Sequence, residues 1–183
     1  MVVHYTAGAS AEGAVAWLTN PDGPGKPSAH LVIGRDGALW QLVPFDRVAH
    51  HAGQSRWAGL SGLNRHSIGI ELVNLGPLTA REDDGFADAY GRLVPAAGIV
   101  RAAHRHGGPR RPWQAYPPAQ LDALERVLTI LRRRYPTLED VVGHDDIAPG
   151  RKIDPGPAFP MDRFKALFRH ADFVSDVKGT ACR

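Results

Sequence analysis

Nine histidines in 183 residues make a metal site the first chemistry to look for. His4 closes a short apolar run near the N-terminus, and His144 directly follows Val141-Val142-Gly143. Asp154 comes ten residues after His144, past a loop stiffened by Pro149, Gly150, Pro155 and Gly156. Two imidazoles and a carboxylate, with a fourth position left to water, are a known catalytic zinc set. The chain has no His-Glu-x-x-His helix and no cysteine-rich pattern, so a zinc site here must be assembled from ligands far apart in sequence. Taken singly, a histidine is more often a surface or hydrogen-bonded residue than a ligand, and no local motif forces these three together.

Glu71 and Lys152 are the next candidates. Glu71 sits among Ile68, Ile70, Leu72 and Val73, where burying a carboxylate without a partner is costly. Strand alternation turns it either to solvent or into a cleft, where partial burial and a metal would tune it as a general base. Lys152 is two residues before Asp154. In an extended segment such positions share a face, so its ammonium can point at the same site and stabilise a developing oxyanion. A solvated loop lysine is the plain alternative.

These side chains need a scaffold. Val2 to Tyr5 reads as a buried strand, and a helix capped by Ser10 follows over Ala11 to Thr19, stopped by Asn20-Pro21-Asp22-Gly23. The apolar runs His30 to Gly34 and Leu39 to Val43 flank Arg35-Asp36-Gly37, a hairpin signal. Ser67 to Val73 and Val141 to Gly143 are further strands. Leu121, Leu124, Leu128, Leu131 and Tyr135 form one stripe at helical spacing, predicting a helix over Pro118 to Arg134 between a starting and a stopping proline. A last helix is predicted over Asp162 to Arg169, with a frayed tail from Asp172. Strands alternating with helices give an α/β (α+β) domain with a mixed central sheet flanked by helices.

The bulk composition fits that picture. Apolar residues make up 43% and charged residues 22%, the mix of a globular chain of one-domain size. The 20 glycines and 15 prolines fall mostly between periodic segments, which predicts ordered loops around a compact sheet. The lone Cys182 has no intrachain partner for a disulfide. A formal charge of +3 suits an anionic ligand without requiring one. No charged start followed by an apolar run and a small-residue cleavage site opens the chain, and no apolar run is long enough to span a bilayer, so a cytoplasmic protein is expected. A trimmed precursor would place it in the periplasm or outside the cell.

Several segments appear together and in order: Val2-Val3-His4, Ser28-Ala29-His30, Val43-Pro44-Phe45-Asp46, His51-Ala52-Gly53, Asn64, Ser67-Ile68-Gly69-Ile70-Glu71-Leu72, and the run from Gly143 to Phe159. In these the chain resembles the type 2 N-acetylmuramoyl-L-alanine amidases, over Val2 to about Phe168 apart from the stretch between Asn74 and Tyr116. The resemblance implies the fold shared with peptidoglycan recognition proteins and T7-type phage lysozymes. It also implies one catalytic Zn2+ held by His4, His144 and Asp154, with Glu71 the catalytic carboxylate and Lys152 the lysine beside the last ligand. His51 and Asn64 would contact substrate. The phage branch carries a tyrosine where Ala29 stands, lacks the strand glutamate and uses cysteine as third ligand, so Ala29, Glu71 and Asp154 place this sequence with the glutamate-using branch. The implied activity is hydrolysis of the amide between the muramic lactyl group and L-alanine, in peptidoglycan or in anhydro-muropeptides. The expected partner is that substrate alone, with neither nucleic acid nor membrane, and the chain is expected to act as a monomer.

The sequence departs from the family over residues 75–113, an insert in an amidase domain that would span 1–170, followed by a tail over 171–183. The insert begins acidic (Glu82, Asp83, Asp84), turns basic (Arg101, Arg105, Arg110, Arg111), and has weak periodicity. Read as a long loop bordering the cleft, it would hold substrate through Arg110, Arg111 and Trp113. A solvated decorative loop is the other reading. Three rival functions share much of this sequence pattern: a non-catalytic peptidoglycan-binding module, a phage or secreted lysin acting on intact murein, and a regulator that only binds another protein.

Overall fold

In a computed structural model describing residues 1–82 and 85–169, the chain begins with strand β1 (Val2–Tyr5) and helix α1 (Ala11–Leu18). Ser10 caps α1 by accepting the Gly13 N–H at 3.1 Å, and the helix stops at Leu18, one residue short of the predicted end. Strands β2 (Leu31–Ile33) and β3 (Leu39–Gln41) form the predicted antiparallel hairpin. The short hairpin β4 (Arg56–Trp57) and β5 (Leu60–Ser61) follows, and then β6 (Gly69–Leu72). Residues 75–113 contribute β7 (Thr79–Ala80), β8 (Phe86–Ala87), β9 (Leu93–Val94), β10 (Ile99–Ala102) and β11 (Arg111–Gln114). Helix α2 spans Pro118–Arg134 as predicted. Strand β12 (Val142–Gly143) and the one-turn helix α3 (His144–Ile147) then lead to α4 (Met161–Arg169). The tail predicted over 171–183 lies outside the described residues.

The central sheet has the order β12-β1-β6-β2-β3, parallel except at the β2/β3 edge. Strand alternation gives it two faces. Val3, Leu31, Ile33, Ile70 and Leu72 pack with Leu124, Leu128 and Leu131 of α2 and with Phe164 of α4. The opposite face carries Val32 against Ala11 and Ala14 of α1. Because β1 and β6 run parallel with His4 opposite Glu71, those two polar residues emerge side by side on this second face. Alternation therefore sends Glu71 toward a cleft and not to open solvent.

The insert differs from its predicted form. Residues 75–113 are not a structureless loop: β7, β8 and β9 make one small antiparallel sheet, and β10 and β11 make a hairpin. A Pro77–Trp113 bridge joins the two. Leu75, Leu78 and Phe86 form a separate small core with Val94 and Ile99. The two-residue strands β7, β8 and β9 are too short to leave a period-2 signal, and the four-residue β10 and β11 lack a clean alternation of buried and exposed residues.

Candidate metal centre and active-site cleft

The candidate ligands arrive from three elements. His4 comes from the middle of β1, His144 opens α3 directly after β12, and Asp154 sits midway along the loop between α3 and α4. All three are buried, and each offers one ligand atom to a common cluster. His4 Nδ1 and His144 Nδ1 lie 2.9 Å apart, and Asp154 Oδ2 is 3.0 Å from each. His144 Nε2 lies 3.2 Å from the Ala52 carbonyl, which accepts only from an N–H, so neutral His144 presents a lone pair at Nδ1. That lone pair faces a carboxylate oxygen with no proton between them. A cation resolves this arrangement, and a His2Asp donor set fits zinc. Burial lowers the His4 pKa despite the opposing Asp154 contact. Burial opposes ionisation of Asp154, but its contacts with His144 and His4 prevail and hold it well below the usual carboxylate range.

The cluster lies in a cleft of about 750 Å³ whose walls include Glu71, Lys152, His51 and Tyr5. That volume suits a small-molecule site. Glu71 keeps some solvent exposure, but its Oε2 is sealed and has no hydrogen-bond partner. Burial, and next the negative charge of Asp154, push its carboxyl up to about 8, with Lys152 partly offsetting them. A cation in the cluster would offset the Asp154 charge and favour the ionised form, leaving the unpartnered Oε2 placed to accept a proton.

Of the substrate contacts expected from sequence, His51 alone is among the residues lining the cleft. Both its ring nitrogens are engaged, Nδ1 with His4 Nε2 at 2.9 Å and Nε2 with Ser67 Oγ at 3.4 Å. Asn64 is not a cleft residue; its Oδ1 accepts the backbone N–H groups of His51 and Ala52 at 3.0 and 2.7 Å. Trp113 is 1% exposed, its indole N–H donated to the Ala102 carbonyl at 3.1 Å. A Cβ at Gly156 would come within 2.7 Å of its ring, so Trp113 is a packing residue beneath the Asp154 loop. Arg111 stacks on the Trp113 ring at 4.8 Å and Arg110 donates to the Arg101 carbonyl; neither is among the residues lining the cleft, although the Arg111 charge acts on Tyr5 in its wall.

From residues 75–113, Tyr90 and Arg92 in the β8–β9 turn are among the residues lining the cleft. Arg92 is anchored by buried Asp88 at 2.7 Å and lies 5.1 Å over the Tyr90 ring. Sequence reasoning missed this pair. The Asp88-Ala89-Tyr90-Gly91-Arg92 turn was the available signal, but the richer arginine cluster downstream obscured it. Tyr5, Trp17 and Arg151 of the cleft wall were also missed.

Fold and cleft together define a mixed α/β domain with a candidate His2Asp metal centre at the edge of its sheet, and comparison with known proteins names the class. The family model for N-acetylmuramoyl-L-alanine amidase matches residues 1–157, and the chain belongs to that family. It is 38% identical over 141 residues to the 1,6-anhydro-N-acetylmuramyl-L-alanine amidase AmpD of Salmonella typhimurium, covering 76% of this chain and 56% of that protein. It is 34% identical to the N-acetylmuramoyl-L-alanine amidase AmiD of Escherichia coli, covering 89% and 50%. The chain thus spans about half the length of these relatives. Among solved structures, E. coli AmiD in complex with anhydro-N-acetylmuramic acid-L-Ala-D-gamma-Glu-L-Lys aligns with a TM-score of 0.65 at 32% identity, covering 92% of this chain and 56% of that one. Pseudomonas aeruginosa AmpDh3 in complex with anhydromuramic pentapeptide aligns with a TM-score of 0.63 at 32% identity, covering 89% and 56%.

Proposed function

We propose that this chain hydrolyses the amide between the lactyl group of N-acetylmuramic acid and L-alanine, using one zinc ion held by His4, His144 and Asp154. The observation that carries the reading is the convergence of three buried donor atoms within 2.9 to 3.0 Å at the floor of a cleft, with Glu71 and Lys152 in the same walls. When bound, zinc supplies a Lewis acid that polarises the carbonyl and lowers the pKa of water to about 7. Glu71 takes the proton from the attacking water and returns it to the leaving alanine nitrogen. Lys152 places its ammonium by the carbonyl oxygen and favours the oxyanion over the ground state. The Tyr90 ring and the Arg92 guanidinium offer a flat face and a positive charge to a sugar and to stem-peptide carboxylates. Relatives solved with anhydromuramyl peptides bound support a soluble muropeptide as substrate.

A binding-only module is disfavoured by the complete donor set and by the sealed, unpartnered Glu71 oxygen, neither of which recognition alone requires. The test is to incubate the zinc-loaded protein with an anhydro-muropeptide and with intact murein sacculi, reading release of a peptide with a free L-alanine amino terminus. Release from the soluble substrate is expected. Tight binding without release would favour the module.

A further inference from the structure

Each donor of the metal cluster must present a lone pair, and the structure fixes how His4 does so. Ser67 Oγ lies 2.6 Å from the Leu63 carbonyl, a contact only its own O–H can make. With that proton committed, Ser67 Oγ has lone pairs alone to offer His51 Nε2 at 3.4 Å, so His51 carries its proton on Nε2. His51 is buried with no carboxylate partner, where an imidazolium is disfavoured, and its Nδ1 is then an acceptor. The neighbour at 2.9 Å is His4 Nε2, which must donate. Neutral His4 is left with its lone pair on Nδ1, the atom 2.9 Å from His144 Nδ1 and 3.0 Å from Asp154 Oδ2.

We propose that His51 is a positioning residue for the metal, holding His4 in the tautomer and rotation that aim its Nδ1 lone pair at the ion, with Ser67 fixing His51 in turn. The place for His51 is built. A Cβ at Gly69 would fall onto the His51 ring, 2.7 Å from Nδ1, so glycine there lets the imidazole lie flat on β6. Asn64 Oδ1 anchors the backbone N–H groups of both His51 and Ala52. Ala52 in turn supplies the carbonyl that orients His144. One asparagine thus registers the outer partners of both histidine ligands. Outer partners of metal-bound histidines are most often carboxylates, carbonyls or water; here a second imidazole takes that place for His4.

The inference rests on the metal-site reading above, and its test reads metal affinity and proton location, not turnover. Zinc affinity of the parent, His51→Leu, His51→Asn and Ser67→Ala proteins is measured by competition with a chromogenic chelator. His51→Leu should weaken zinc by about 10- to 100-fold, the usual effect of losing an outer partner. His51→Asn, whose carbonyl can replace Nδ1 as acceptor, should recover most of that loss, and Ser67→Ala should weaken zinc less than His51→Leu does. Nitrogen-15 spectra of the metal-free parent should place the His51 proton on Nε2 and the His4 proton on Nε2, a readout that stands even if His51→Leu does not fold. Zinc binding by His51→Leu within two-fold of a zinc-binding parent, or the opposite His51 tautomer, overturns the proposal alone. A parent without zinc affinity takes the metal-site reading down with it.

Discussion

At Glu71, burial and the charge of Asp154 favour the protonated carboxyl, raising it from an ordinary 4.5 to about 8 in the metal-free protein. The sign of the linked stability follows. A carboxyl raised on folding contributes stability fully below pH 4.5, and that contribution is lost as pH climbs from there through about 8. In metal-free protein, the melting temperature of the Glu71→Gln variant relative to the parent should therefore rise by more than about 3 °C between pH 5 and pH 8.5. A flat difference would mean that Glu71 is well solvated. With zinc bound, the same variant should keep its metal and fold while turnover falls by about 10²–10⁴-fold, the range for loss of a general acid–base group. Lys152→Met should lower kcat more than it raises KM, since an oxyanion contact acts mainly in the transition state. A change confined to KM would make Lys152 a ground-state binding residue.

Among the elements, the β8–β9 turn and not the β10–β11 hairpin supplies cleft-lining residues from the insert, so the proposed substrate contact is assigned to that turn. Tyr90→Ala combined with Arg92→Ala should raise KM for an anhydro-muropeptide while zinc content stays at the parent level. Arg110→Ala combined with Arg111→Ala should leave KM unchanged, and a KM effect there with none from Tyr90 and Arg92 would restore the original assignment. The elements with strong periodicity were legible in the sequence. Helix α2 matches its predicted bounds because its leucine stripe, Pro118 and Pro136 all report one helix. The β2–β3 hairpin was legible from its Asp-Gly turn, although its strands are shorter than the apolar runs. His4, His144 and Asp154 were individually visible, but the approach of His4 to His144 depends on the parallel pairing of β1 with β12, as the place of Glu71 beside His4 depends on β1 with β6, which no local spacing encodes. The outer partners were illegible for the same reason. His51 and Asn64 make contacts 47 and 13 residues distant in sequence, which the local motifs that suggested substrate contacts do not encode.

At the scale of the whole molecule, one sheet separates two tasks: the α2 face supplies stability and the opposite face holds the cleft. Leu124 and Leu128 are fully buried on the first face. Leu128→Ala should cost about 2–5 kcal/mol of unfolding free energy, while its folded fraction binds zinc with parental affinity. Denaturant melts and zinc titration of one preparation check both halves, and a loss of zinc affinity in folded protein would show that the two faces are coupled. The most direct test of the central claim is turnover of an anhydro-muropeptide by one preparation measured metal-free and after titration with zinc. Release of stem peptide with a free L-alanine amino terminus is expected to appear with zinc and to saturate at one ion per chain. Full cleavage by the chelated protein, or no cleavage at one bound zinc per chain, would contradict it.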